Sequence, residues 1–423
     1  MGDGRARLLA GSRSPVARLR ASDSTRKRMA VHASKSSVQT RLVHGGRNPA
    51  CFSGMVNTPV HRGSTVVAAS LAEWDSRKEP GNPTASYGRF GTPTTRSFEQ
   101  VVADLEGGYR SIVFPSGLSA CALSLLAFVR SGDHVLMSDA VYGPTRQFAE
   151  NVLTRFGIQT TFFDPLAGAG IRADFRPNTR VVFVESPSSW TFEVLDIPAM
   201  AEVAKSAGAT VIMDNTWASP LYFNALGHGV DVSIQAATKY IVGHSDALLG
   251  VATATEAAWP TLAKGAHDCG QTAGPDDLYL ALRGIRTLDV RLRQHWANGV
   301  KLAQSLVGHP LIERVMHPAL PDDPGHKLWT RDFTGASGLF GVALKPMPRA
   351  ALAALMDSFR LFGIGLSWGG FESLALLSEP VLRRSVRPWP HRGHVLRIHA
   401  GLENVDDLIA DMREALRNAQ AQL

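Results

Sequence analysis

Two residues with complementary chemistry lie at the ends of short apolar runs. Thr210–Asn215 reads Thr-Val-Ile-Met-Asp-Asn and stops being apolar at Asp214; Ser233–Tyr240 reads Ser-Ile-Gln-Ala-Ala-Thr-Lys-Tyr, with Lys239 after small residues. Taken singly, Asp214 reads as a turn or cap residue and Lys239 as a surface lysine lying on apolar neighbours. Together they are an amine that can condense with an aldehyde and a carboxylate that can hold a pyridine nitrogen protonated. Pyridoxal 5'-phosphate requires both from a protein. Two more parts fit the same ligand. Pro115-Ser116-Gly117-Leu118 reads as a strand turning into a helix, where free backbone N–H groups and the helix dipole favour a phosphate. Tyr142, in Val141-Tyr142-Gly143-Pro144, sits just past another apolar run and could face an aromatic ring.

The elements that must position these residues are legible as short apolar runs alternating with helical segments from Gly107 to about Thr255. Strands are predicted at Ser111–Phe114, His134–Met137, Thr160–Phe163, Arg180–Val184, Thr210–Met213, Ser233–Ala236 and Leu249–Thr253, all too short for helices. Helices are predicted at Leu118–Arg130, Pro144–Phe156 and Pro198–Ala207, with Gly132, Gly157 and Gly208 at their expected stops. This is the pattern of an α/β fold with a large, mostly parallel seven-stranded sheet, which places ligands at the carboxyl ends of its strands. A helical stretch over Leu278–Val307 leads to a smaller α+β unit. That unit has strands at Leu339–Leu344 and Val395–His399 and helices at Arg349–Phe359 and Val405–Ala419. Asn48–Thr95 is rich in Pro, Gly, Thr and Arg without periodicity, as in an arm that lies on a partner. The expected organisation is a basic disordered tail at 1–35, an N-terminal arm at 36–95, a large domain at 96–290 and a small domain at 291–423.

The net charge of +7 suggests an acidic partner until it is located. Residues 1–35 hold nine Lys/Arg against two acids, so the remaining chain carries 35 basic and 35 acidic groups and is formally neutral. Neither nucleic acid nor membrane is expected as a partner. Cys51, Cys121 and Cys269 show no CxxC spacing, so neither a disulfide framework nor a cysteine metal site is indicated, and a cytoplasmic location is expected. No GxGxxG opens a helix after a strand, which argues against a nicotinamide-binding dehydrogenase.

With Asp214-Asn215-Thr216-Trp217, Ala237-Thr238-Lys239-Tyr240 and Tyr87-Gly88-Arg89 on one chain, the sequence from about Thr40 to its C-terminus resembles the Cys/Met-metabolism family of pyridoxal-phosphate enzymes. The resemblance implies the fold-type I aminotransferase-like architecture. It makes Lys239 the Schiff-base lysine, Asp214 the partner of the pyridine nitrogen and Tyr142 the residue against the ring, and it assigns the phosphate to Ser116, Gly117, Leu118 and Thr238. Tyr87 and Arg89 would reach the phosphate in a neighbouring subunit, so the implied assembly is a homotetramer of dimers with shared sites. Arg397 would bind the substrate α-carboxylate, a role suited to the fork of its guanidinium; without the resemblance it reads as a strand arginine. Trp190, His391, His394 and His399 are read as structural.

Which bond is broken follows from the substrate side. Ser367-Trp368-Gly369-Gly370 has tryptophan before the paired glycines, where members acting at the γ-carbon commonly have leucine. Trp368, together with Gln235-Ala236-Ala237-Thr238-Lys239, His244-Ser245-Asp246 and Arg291-Leu292-Arg293-Gln294-His295, resembles the bacterial branch that cleaves the β-carbon to sulfur bond of cystathionine. The resemblance thus implies a carbon–sulfur lyase of methionine biosynthesis. It would act on an amino-acid thioether, with Lys239 in proton transfer assisted by either Tyr142 or Tyr87, and Arg397, Ser367, Trp368 and Tyr142 against the substrate. Leu366 stands where the branch has tyrosine and Gly143 where glutamate is common; both touch substrate preference rather than chemistry. The alternatives are γ-elimination or γ-replacement within the family, and a regulatory protein that keeps the cofactor without turnover. Deleting residues 1–35 should leave turnover nearly unchanged; a large loss in the truncated protein would make the tail part of the enzyme.

Overall fold

The computed structural model describes residues 36–77, 85–378 and 383–423, so the expected tail lies outside the described residues. Seven strands form the larger sheet: β1 (Arg110–Phe114), β2 (His134–Ser138), β3 (Gln159–Phe163), β4 (Thr179–Glu185), β5 (Thr210–Asp214), β6 (Val232–Gln235) and β7 (Gly250–Ala254). Their order is β1-β7-β6-β5-β4-β2-β3. Only β7 runs antiparallel to its neighbours. A parallel strand covered on both faces should be apolar throughout, and β4 obeys: Val181, Val182, Phe183 and Val184 are fully buried. At about 1.5–3 kcal/mol per buried side chain of this size, such strands supply much of the drive to fold. All seven expected strands are present, with ends shifted by one residue.

Helix α1 (Pro93–Glu106) starts at a reciprocal cap in which Thr92 and Thr95 each bond the other's backbone N–H. It therefore takes in the last three residues of the expected arm. Helix α2 (Gly117–Phe128) follows β1 directly, capped by the Ser116 hydroxyl on Ser119 N–H. The helix expected at Pro144–Phe156 is instead Gly143–Phe148 followed by a wider π turn, Ala149–Leu153, which keeps both Ala149 and Leu153 buried. The long helix expected over Leu278–Val307 is interrupted. It divides into α3 (Pro275–Ile285) and α4 (Leu288–Leu306) at Thr287, whose φ of -107° and ψ of 10° leave the helical region, while Arg286 beside it donates from Nη1 to the carbonyls of Leu42 and Gly45.

The smaller sheet contains β8 (Ile312–Met316), β9 (Leu339–Leu344), β10 (Gly363–Ile364), β11 (Leu374–Leu377) and β12 (Val395–His399), in the order β10-β11-β12-β9-β8. Helices α5 (Arg349–Asp357) and α6 (Val405–Gln420) pack against each other beside it. Helix α4 joins the two cores: Leu288 and Leu292 belong to the cluster under the large sheet, Leu302 and Leu306 to the one under the small sheet.

One glycine ties this architecture to the chemistry. A Cβ on Gly250, at the start of β7, would lie 2.2 Å from the Ser116 carbonyl oxygen. Only a bare backbone lets the β1–α2 turn descend onto the neighbouring strand. Gly250→Ala should therefore lower stability by about 1–3 kcal/mol in urea denaturation, and an unchanged midpoint would refute this packing.

Candidate active site

The parallel strands end on one line. Register pairs Glu185 of β4 with Asp214 of β5, and Gln235 of β6 ends in the segment that carries Lys239. A cavity of about 270 Å³ opens there. Its walls include Ser116, Gly117, Leu118, Tyr142, Asp214, Thr238, Lys239, Ser367, Trp368 and Arg397. Every expected site residue except Tyr87 and Arg89 is thus brought to one place. A larger cleft, 670 Å³, lies beside β8 and holds none of them.

Asp214 is the most constrained member. Its Oδ1 accepts the Thr216 N–H at 3.0 Å and also the Thr216 hydroxyl, and its Oδ2 lies 3.7 Å from the Cys121 thiol. Burial nevertheless raises its pKa, opposed by the Thr216 and Cys121 bonds and by Lys239. Glu185 beside it is raised well above the carboxylate range, first by burial and then by Asp214, while accepting the Tyr142 N–H at 2.6 Å. Among the described residues neither carboxyl has a cation in direct ion-pair contact, only the more distant pull of Lys239 on Asp214 and of Arg384 on Glu185, and a protonated ring nitrogen would supply that contact. This is the observation on which the site fits pyridoxal 5'-phosphate.

The phosphate end fits as well. The Ser116 side chain caps α2 through Ser119, and the N–H groups of Gly117 and Leu118, in the first turn, have no intrahelical acceptor. Thr238 lines the same cavity, its hydroxyl paired in both directions with the Leu249 backbone at 3.2 and 2.9 Å.

Lys239 projects into the middle. Its Nζ donates to Ser367 Oγ at 2.7 Å and lies 5.5 Å from the Trp368 ring. Burial, then the nearby Arg397 cation, lowers its pKa to about 8, against a smaller opposing pull from Asp214. Arg397 donates Nη2 to the Ser367 carbonyl at 3.2 Å, and burial lowers its pKa to about 10. A lysine with a pKa near 8, present in both protonation states near physiological pH, can exchange protons while the desolvated arginine beside it holds an anion.

Tyr87 and Arg89 are not in this chain's own cavity. Tyr87 is exposed, and Arg89 donates to the His267 carbonyl at 3.1 Å while its guanidinium stacks over Phe90. Of the residues read as structural, His399 is buried against Tyr240 and His295, His391 pairs with Glu313 and His394 bonds the Ser378 carbonyl. Trp190 differs from that reading: it lines the cavity, with the Arg397 guanidinium over its ring. Glu185 and Cys121 were not singled out from sequence. Glu185 carried the same signal as Asp214, an acid ending an apolar run, whereas Cys121 inside a helix carried none.

Fold and site together define a pyridoxal-phosphate enzyme of fold-type I. Residues 39–417 match the family described as Cys/Met metabolism PLP-dependent enzyme, and the chain belongs to that family. It is 45% identical over 382 residues to the cystathionine β-lyase MetC of Escherichia coli K12, covering 89% of this chain and 97% of that protein. The cystathionine β-lyase of Salmonella typhimurium LT2 is 44% identical over 382 residues, with the same coverage, 89% and 97%. The crystal structure of metB from Corynebacterium glutamicum superposes with a TM-score of 0.84 at 29% identity, over 91% of this chain and 99% of that one.

In protein freed of cofactor, labelling of Lys239 by an amine-acylating reagent should rise with pH through about 8, as the neutral amine forms. A midpoint at the ordinary lysine value of 10.5 would contradict the burial of this amine.

Proposed function

We propose that this enzyme cleaves L-cystathionine by α,β-elimination to homocysteine, pyruvate and ammonia. The observation that carries the proposal is the joint placement of Lys239, Asp214 and Arg397 in one cavity with Trp368, in a chain 45% identical to a cystathionine β-lyase. Bound there, pyridoxal 5'-phosphate supplies an electron sink for negative charge at the substrate Cα.

The protein's own groups do the rest. Asp214 would accept the ring N–H and keep it protonated. Gly117 and Leu118 N–H groups, with Ser116 and Thr238, would hold the phosphate, and Tyr142 would lie against the ring. Arg397 takes the substrate carboxylate through two in-plane N–H bonds, which fixes Cα against Lys239. Lys239 Nζ, neutral in a substantial fraction because its pKa lies near 8, removes the Cα proton. The Cβ–S bond then breaks with its electron pair on sulfur, and the Lys239 ammonium returns the proton to that sulfur. Water hydrolyses the remaining three-carbon fragment to pyruvate and ammonia. Ser367, bonded to Nζ, keeps the amine on the substrate side between these two transfers. One tyrosine, Tyr142 or Tyr87, assists as proton carrier.

Tyr87 and Arg89 complete the phosphate site of a neighbouring copy in a homotetramer built from dimers. Their position outside this chain's own cavity and the exposure of Tyr87 support that role. The free thiols of Cys51, Cys121 and Cys269 are consistent with a cytoplasmic enzyme. Among the described residues no helix is long and apolar enough to cross a membrane.

Incubation of the holoenzyme with cystathionine should release pyruvate; 2-oxobutyrate in its place would mean chemistry at the γ-carbon. Asp214→Asn should stay folded yet lose about 10²–10³-fold in kcat, since the ring nitrogen is no longer held protonated. A near-normal rate in that variant would remove Asp214 from the mechanism.

A further inference from the structure

Trp190 occupies a conformation its residue type disfavours. Its φ is 68°, in the left-handed region, and Phe192 two residues on has φ 57°. Bulky side chains rarely stay there unless the surroundings enforce it. The surroundings do enforce it. Ser188 N–H bonds the Glu193 carbonyl at 2.9 Å, Phe192 N–H bonds the Ser188 carbonyl at 3.0 Å, and Ser189 N–H bonds the Ala140 carbonyl at 2.9 Å. The Glu193 carboxylate gathers the hydroxyls of Ser188 and Thr191, and Arg384 pairs with it at 3.3 Å. The result is a pinned loop that turns an indole into the cavity.

There the indole meets Arg397, whose Cζ lies 4.9 Å from the ring centroid. Among the described residues Arg397 makes one hydrogen bond, to the Ser367 carbonyl, and no ion pair. Its remaining N–H groups are therefore unspent. A guanidinium is weakly hydrated on its faces and stacks on aromatic rings, while all its donors lie in its plane. Covering a face leaves the edge, and the edge is the part that matches a carboxylate in two parallel bonds.

We infer that Trp190 is a positioning residue for the substrate carboxylate: by covering one face of Arg397 it fixes the plane in which that group presents its paired N–H bonds. The inference rests on the assignment of Arg397 to the carboxylate.

The test uses the holoenzyme and three variants. Trp190→Gly removes the ring and accepts the positive φ without strain, so loss of the ring is separated from loss of the fold. Trp190→Phe keeps an aromatic face, and Arg397→Lys removes the fork. Binding of L-alanine and of L-alaninamide, which lacks the carboxylate, is read from the change in cofactor absorbance, beside KM and kcat for cystathionine. Trp190→Gly should weaken L-alanine binding and raise KM by about five- to thirtyfold. The change should fall on KM rather than kcat, alaninamide binding should be little altered, and Trp190→Phe should restore most of the loss. Equal weakening of both ligands by Trp190→Gly, or no weakening, overturns the inference. If Arg397→Lys discriminates between the ligands and Trp190→Gly does not, only the role of Trp190 fails. If Arg397→Lys does not discriminate either, the assignment of Arg397 fails with it.

Discussion

The cavity depends on the seating of Ser367–Gly370, a segment of the smaller sheet unit, against Lys239. A side chain on Gly369 would come within 2.9 Å of the backbone joining Lys239 to Tyr240, so this contact is made by bare backbone at φ 87°. From that anchor Ser367 reaches both charges at once, its hydroxyl to Lys239 Nζ and its carbonyl to Arg397. Trp368 packs on Tyr240 with 5.3 Å between centroids, and the Gly370 carbonyl is bonded by His399. Lys239 follows a strand of the large sheet and Arg397 sits on a strand of the small one. This segment bonds both of them, while α4 and the bonds of Trp217 to the Leu339 carbonyl and of Gly338 N–H to the Tyr240 hydroxyl hold the two units together around it.

Around that contact burial works against the ionic form of every titratable group that would face a ligand. Burial raises the carboxyls of Asp214 and Glu185 and lowers the ammonium of Lys239 and the guanidinium of Arg397, so each ionic form is held at a cost. Three of these misfits have a ligand group of the opposite character: a ring cation for Asp214, an aldehyde for the neutral amine of Lys239, a carboxylate for Arg397. A ligand that relieves these penalties binds the folded chain and not the unfolded one, and so stabilises it by mass action. The pinned loop at Ser188–Glu193 and the positive φ of Ser367 and Trp190 belong to the same economy: backbone strain is concentrated where the ligand lies.

How far the sequence announces all this differs by region. The large sheet is legible because buried parallel strands are short and largely apolar, and their charged residues stand at or next to their ends. That is why Asp214 and Lys239 stand out, and why Glu185 should have. The small sheet is less legible. Ile312–Met316 carries Glu313 and Arg314 in an edge strand, and Leu374–Leu377 is four residues that propensity alone cannot assign. The interruption between α3 and α4 falls at Thr287, with no Gly or Pro to mark it, next to an arginine whose side chain bonds carbonyls more than 240 positions away. Trp190 was hidden for a related reason. Its position depends on a loop closed by Glu193 and Arg384, and its partner Arg397 comes from the other sheet.

The central claim is that Lys239 is the amine that takes the aldehyde of pyridoxal 5'-phosphate. Borohydride reduction of the holoenzyme, followed by proteolysis and peptide mass mapping, tests it directly. The account predicts a single phosphopyridoxyl adduct, on the peptide containing Ala237-Thr238-Lys239-Tyr240. An adduct on a different lysine, or none at all, would contradict it.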